Sequence, residues 1–168
     1  MKQESKRQMK MRVKIETAMN ELIGQPLTSM WRYAGLQKFE FGVQKPSRNR
    51  KGEKVTHADW GLVVTCRWQI DDKDENKIVG SEDFGPQSAR RDSDASEFYK
   101  RLQSDPPIVQ SIEGNVRGDV YFTMSEGYTL DIRVQANLDE QWRLMPPKDK
   151  MFQIVLTEHS LDTVFTDA

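Results

Sequence analysis

The strongest pattern along the chain is the alternation of residues 60–70, WGLVVTCRWQI. Its even positions are all apolar: Trp60, Leu62, Val64, Cys66, Trp68 and Ile70. Val63 is the one large apolar residue out of phase, and the other odd positions carry Gly61, Thr65, Arg67 and Gln69. Successive side chains of a β-strand point to opposite faces, so this alternation predicts one long strand with its even face in a core.

A helical pattern precedes this strand, over residues 4–23. Its apolar residues recur at spacings of three and four, at Met11, Ile15, Ala18, Met19 and Leu22. That spacing predicts a helix with one apolar stripe, and Gly24 followed by Pro26 indicates its end. A weaker pattern over residues 96–103, SEFYKRLQ, predicts one or two further helical turns.

Alternating runs elsewhere predict the remaining strands, at residues 36–43, 77–84, 108–116, 118–124, 129–134 and 151–158. The turn sequences DDKDEN (71–76) and SEGY (125–128) predict hairpins, the first with an acidic tip. Seven or eight strands with one clear helix predict an α+β fold. We expect a strongly bent antiparallel sheet or an open barrel, with the N-terminal helix packed on it.

The composition predicts a single globular domain over residues 1–168, with residues 1–10 frayed or flexible because they are so polar. Apolar residues make up 36% and charged residues 30%, and no run approaches the ~18 apolar residues of a membrane helix. The basic start lacks the apolar segment of a secretory signal, and a single cysteine favours a reducing compartment. We therefore expect a cytoplasmic protein with no membrane association.

The net charge of −1 hides an uneven distribution. Residues 1–14 carry six Lys or Arg against one Glu, and residues 45–54, KPSRNRKGEK, form a second basic run. This run lies in a polar segment, residues 45–56, that we expect to be a mobile loop. Acidic residues collect in 71–83 and 92–97. Such separation can steer charged partners, although solvated loops and helix faces show it as well.

The long strand and the segments after it resemble a family of small bacterial proteins of uncharacterised activity. The family pattern is a strand like LHxQCxWRI with a later ExWR motif, and this sequence matches it at Leu62, Cys66, Trp68, Ile70, Ser81, Asp83, Glu140, Trp142 and Arg143. It departs where the family has an outward histidine, here Val63, and an arginine, here Gln69. The resemblance implies a shared core, and it implies no activity.

Signals for catalysis or metal binding are weak. Cys66 with His57 or His159 is the candidate nucleophile pair, but the place of Cys66 on the apolar face favours a buried structural thiol. His57 and Asp59 have same-face spacing, which is too small a set of ligands for a metal. The sequence contains no GxSxG, P-loop or GxGxxG string. We therefore predict no catalytic residue, no metal and no cofactor.

Two arginines that each adjoin a tryptophan, Arg67 and Arg143, allow two interpretations. In the structural one, the guanidinium groups pair with carboxylates such as Glu140 or Asp131, or the side chains cover aromatic rings. In the functional one, they form an anion or carboxylate site in a concavity of the sheet.

The polarised surface without a convergent catalytic set predicts a non-enzymatic protein that acts through a protein partner, of immunity or accessory type. The residues expected to meet a basic partner are Asp71, Asp72, Asp74, Glu75, Asp92 and Asp94. The alternative is a small-ligand-binding protein or enzyme with a site in the concave face of the sheet, lined by Trp60, Trp68, Tyr128 and Arg143.

Nucleic-acid binding is the third hypothesis. It would draw on the basic N-terminus, the basic run at 45–54 and the Trp31-Arg32-Tyr33 segment for stacking. A pI near 6.2 and the acidic hairpin argue against it, because both disfavour contact with phosphates.

Overall fold

The fold is that of a computed structural model, which describes residues 2–84, 92–148, 150, 152–157 and 160–165, without the side chains of residues 2–9, 84 and 92–94. These residues form two α-helices, α1 (Lys2–Met19) and α2 (Asp92–Ser104), and 3-10 turns at Asn20–Leu22, Ser81–Phe84 and Ser125–Gly127. The strands are β1 (Leu27–Tyr33), β2 (Leu36–Phe41), β3 (Lys45–Arg48), β4 (Lys54–His57), β5 (Trp60–Val64), β6 (Arg67–Asp71), β7 (Lys77–Gly80), β8 (Val109–Gly114), β9 (Val120–Met124), β10 (Thr129–Arg133), β11 (Glu140–Met145), β12 (Phe152–Thr157) and β13 (Leu161–Phe165).

The strands form three antiparallel sheets. One has six strands in the order β1-β2-β5-β11-β12-β13, one has five in the order β7-β6-β10-β9-β8, and β3 and β4 form a two-stranded sheet. The α+β class and the antiparallel pairing are confirmed. The prediction of seven or eight strands is wrong, because the described residues contain thirteen, and none of the sheets closes into a barrel.

The alternating run at 60–70 is two strands rather than one. Val64 is the last residue of β5 and pairs with Trp142, whereas Arg67 begins β6 and pairs with Arg133 of the other sheet. Between them, the backbone N–H groups of Thr65 and Cys66 both donate to the Gln141 carbonyl, at 2.9 and 3.3 Å. Two residues opposite one is the arrangement of a β-bulge, which bends a strand. The chain therefore passes from one sheet into the other at this bend.

The predicted buried face continues through the bend. All six even positions from Trp60 to Ile70 are at most 7% exposed. Trp68 contacts Phe39 edge to face at 5.1 Å, and Phe41 stacks on Phe122 at 5.7 Å, so aromatic rings from both large sheets meet in one core. Trp142 is fully buried, and its indole Nε1 donates to the Gly118 carbonyl at 3.0 Å.

The N-terminal helix packs as its apolar stripe predicts. Ile15 and Met19 are fully buried, and α1 lies against β8. Gly114 on β8 permits this approach, because a Cβ there would lie 2.9 Å from the Cβ of Ile15. After the helix, Gly24 donates to the Val109 carbonyl at 2.8 Å and Leu27 to the Pro107 carbonyl at 2.9 Å, which joins the β1 edge of one sheet to the β8 edge of the other.

Two polar segments are more ordered than predicted. Residues 45–56, predicted as a mobile loop, contain β3 and β4, which pair as a hairpin. Helix α2 extends over Asp92–Ser104, whereas one or two turns were predicted for residues 96–103. Both segments lack a long apolar pattern, so periodicity alone did not reveal their length. Among the described residues, no helix has the length and apolarity needed to cross a membrane.

The bend rests on Gln141, which is 2% exposed. Besides its backbone contact with Thr65 and Cys66, its side-chain Nε2 donates to the Gln135 carbonyl at 2.6 Å and its Oε1 accepts from the Gln135 N–H at 2.9 Å. These bonds hold residues 134–139, the segment that connects β10 of the five-stranded sheet to β11 of the six-stranded sheet. The second buried glutamine, Gln37, is 3% exposed and its Oε1 has no hydrogen-bond partner among the described residues.

These two glutamines allow a matched test of the bend. We expect Gln141→Met to lower the free energy of unfolding by about 1–3 kcal/mol, because Gln135 loses both its partners. Gln37→Met makes the same chemical change where the amide oxygen is already unpaired, so it should be neutral or stabilising. Urea unfolding of both variants measures the difference. Equal losses in the two variants would contradict the role assigned to Gln141.

Candidate functional site

The acidic tip, residues 71–75, closes the hairpin of β6 and β7 in an ordered turn. The Asp72 carboxylate accepts from the N–H groups of Asp74 and Asn76, each at 2.9 Å, and the Asp72 N–H donates to the Asn76 carbonyl at 2.9 Å. A Cβ added at Gly127 would lie 2.5 Å from the Cβ of Lys73, so the β9–β10 turn packs tightly against the tip. The carboxylates of the tip are therefore presented from a defined backbone.

The predicted acidic residues differ in what they can offer a partner. Asp72 stabilises the turn, and Asp71 accepts a hydrogen bond from Gln69 at 2.7 Å. Asp74 and Glu75 are exposed, and neither makes an ion pair within the described part of the chain. These two carboxylates are thus the ones available to a ligand at the tip.

The remaining two predicted acidic residues, Asp92 and Asp94, belong to the first turn of α2. Their side chains lie outside the described residues, so their proximity to the tip stays a prediction. The helix they begin packs against β1 and β7, and β7 is the strand that leaves the acidic tip.

A groove separates the acidic tip from α2, with a volume of about 720 Å³. Its apolar side chains are Ile78, Phe98 and Tyr128, and the Phe98 and Tyr128 rings lie 5.3 Å apart. Arg101 of α2 lies with its guanidinium carbon 5.3 Å from the Tyr128 ring. The aromatic floor of the groove is therefore mainly the half-buried Tyr128 ring, because Phe98 beside it is only 3% exposed. The charged Arg101 side chain lies next to this floor.

The rim of the groove is polar, with Asp72, Asn76, Lys77, Glu97, Lys100, Arg101, Ser104 and Asp105. Arg101 pairs with Asp105 at 3.2 Å and also with Glu126, and Lys77 pairs with Asp83 at 3.3 Å. An apolar floor surrounded by polar groups is the usual anatomy of a protein interface. The pattern over residues 96–103 predicted part of the helical wall of this groove but not the groove itself.

The four residues predicted to line a ligand site lie in different places. Trp60 and Trp68 are 7% and 4% exposed and face the core, while Tyr128 belongs to the groove beside α2. Arg143 pairs with Val63 of β5. It lies on the face of β11 opposite to that of its neighbour Trp142, which is buried. A site shared by all four stays a prediction that no contact among them supports.

The two arginines beside tryptophans both pair with carboxylates. Arg143 Nε donates to Glu140 at 2.9 Å, as the structural interpretation predicted, and its Nη1 donates to Gln153 at 2.6 Å. Arg67 pairs with Glu82 beside a cleft of about 270 Å³. These pairs hold the guanidinium groups in place on the sheet surface.

Cys66 is a buried thiol, 2% exposed at the bend. Burial, with a smaller contribution from the charge of Asp119, raises the pKa of Cys66 to about 12. A thiol with so little thiolate near neutral pH is a poor nucleophile. His57 lies in β4, and His159 is outside the described residues. Within the described residues, no group of three His, Cys, Asp or Glu side chains is arranged to hold a metal ion.

Comparisons of this chain with protein-family models, with curated proteins and with solved structures give no match. The resemblance to the bacterial family with the LHxQCxWRI-like strand therefore stays a prediction.

The burial of Cys66 sets its reactivity and its effect on stability. With a pKa of about 12 against an ordinary 9.0, the native thiol carries roughly 1,000-fold less thiolate at pH 8, so Ellman's reagent should label it at least that much more slowly than in denatured protein. Because the pKa of Cys66 is raised in the folded state, the protonated thiol makes its full contribution to the free energy of unfolding below pH 9. That contribution is lost as the pH rises towards 12. Native labelling within about tenfold of the denatured rate would contradict this burial.

Proposed function

We propose that this protein is a non-enzymatic cytoplasmic binding protein that captures a basic protein partner, in an immunity-type or accessory role. The observation that carries the proposal is the acidic tip. There Asp74 and Glu75 project from a hydrogen-bonded turn beside a groove with an aromatic floor. A rigid charged element beside an apolar groove suits recognition of a protein surface.

Charge and apolar area have separate roles in this proposal. Residues 71–75 hold four carboxylates and one lysine, a formal charge of −3, which steers a basic partner towards the tip. Steering of this kind acts mainly on the association rate and weakens with salt. The half-buried Tyr128 ring then provides the aromatic contact that slows dissociation, because Phe98 beside it is only 3% exposed.

The first test reverses the free charges of the tip. We expect Asp74→Lys with Glu75→Lys to lower capture of the partner from the native cell by about tenfold or more at low salt, because the steering field is reversed. Capture is measured by quantitative mass spectrometry on the tagged protein. Once the partner is identified, its association rate with the unmodified protein and with the variant is measured.

A matched control makes the same charge change elsewhere. Glu113 and Asp139 are exposed residues outside the tip and the groove, so Glu113→Lys with Asp139→Lys should keep capture near the unmodified level. Circular dichroism confirms that both variants are folded. Equal capture by the tip variant and the unmodified protein would contradict the proposal, as would an equal loss in the control.

A further inference from the structure

The basic ribbon, residues 45–57, is a second charged element of this fold. Its strands β3 and β4 pair only with each other, in the register Lys45 to His57 and Arg48 to Lys54. All side chains of these two strands are exposed except those of Ser47 and His57, which are half-buried. A two-stranded ribbon leaves both of its outer edges without backbone partners, and on its own it is marginally stable.

Side-chain hydrogen bonds nevertheless hold the ribbon in shape. At its turn, the Asn49 Oδ1 accepts from the N–H groups of Lys51 and Glu53, each at 3.0 Å, and Arg48 donates to the Gly52 carbonyl at 2.7 Å. At its base, Lys45 pairs with Asp59 at 2.8 Å. An element held in this way loses little conformational entropy on binding.

The charge of the ribbon is positive and largely uncompensated. Residues 45–57 contain five Lys or Arg and one Glu, a formal charge of +4, and the Glu53 carboxylate accepts from Asn49 at 2.8 Å. Arg48 and Lys54 lie directly opposite each other, where like charges repel. Arg50, Lys51 and Lys54 make no ion pair with any described residue. The ribbon therefore favours an acidic occupant.

The basic ribbon and the acidic tip lie at opposite ends of one strand path. The ribbon ends just before β5 begins, and the tip follows the end of β6. No ion pair joins the ribbon to the tip within the described part of one copy. Both charged elements are therefore available to a second copy.

We propose that the basic ribbon binds the acidic tip of a second copy of this chain, in a head-to-tail contact. The inference rests on the tip as the docking surface of the proposed function, but it names a different occupant. Such a contact joins the ribbon of one copy to the tip of the other. In a dimer, one ribbon and one tip therefore remain unoccupied. A foreign basic partner at the tip would compete with the ribbon of the second copy.

Charge-swap complementation tests this contact by sedimentation velocity at high protein concentration. At an ionic strength of about 0.01 M the unmodified protein should sediment faster than a monomer, and at about 1 M it should dissociate, because the screening length falls from about 30 Å to about 3 Å. The ribbon variant Arg50→Glu with Lys51→Glu, and the tip variant Asp74→Lys with Glu75→Lys, should each be monomeric alone. Their equimolar mixture should associate again, because the intact tip meets the intact ribbon and the reversed tip meets the reversed ribbon.

Two results would overturn the inference. One is an unmodified protein that stays monomeric at low ionic strength, and the other is a ribbon variant that still associates. If the monomeric protein instead binds a short DNA duplex and the ribbon variant does not, the occupant of the ribbon is nucleic acid and the inference is wrong. The ribbon variant keeps its acidic tip. If it still captures the foreign partner, such a failure overturns only this inference and leaves the proposed function standing.

Discussion

The fold depends on one backbone carbonyl, that of Gln141, which accepts from Thr65 and Cys66 together. This double hydrogen bond places two residues opposite one, so the strand path of residues 60–71 turns from the six-stranded sheet into the five-stranded sheet. The side chain of the same glutamine binds the backbone of Gln135. Gln135 lies in the segment that returns from the five-stranded sheet to the six-stranded sheet. Both sheets consequently present their apolar faces to one core, which includes Phe39, Phe122 and Trp142.

The bend also determines where charge lies on the surface. The basic ribbon precedes β5 and the acidic tip follows β6, so the two charged elements flank the bend along the chain. The bend brings β7 beside α2, and the groove between them has the half-buried Tyr128 ring as its aromatic floor. The candidate site is therefore a consequence of the crossing between sheets, because the residues around it come from β6, β7, α2 and the β9–β10 turn.

Sequence patterns predicted the buried faces but not the topology. The even face of residues 60–70 is buried as predicted, yet alternation continues without interruption through Thr65 and Cys66, so it cannot reveal a bend caused by a distant carbonyl. Asp74 and Glu75 could be predicted as partner-binding residues from their charge and position, because turn residues at a hairpin tip are exposed. The groove could not be predicted, because Phe98 and Tyr128 are far apart in the chain. The ribbon has no apolar alternation, and its order depends on Asn49 and its hydrogen bonds.

The crossing at Thr65 and Cys66 is tested most directly by inter-strand nuclear Overhauser effects in the folded protein. A strand path that bends there gives contacts between the backbones of Val63 and Arg143, and also between those of Arg67 and Arg133. If residues 60–70 were instead one straight strand in the register of Val64 with Trp142, three steps further along would place Arg67 opposite Asp139. Contacts between Arg67 and Asp139, without contacts between Arg67 and Arg133, would show that the strand does not cross between the sheets.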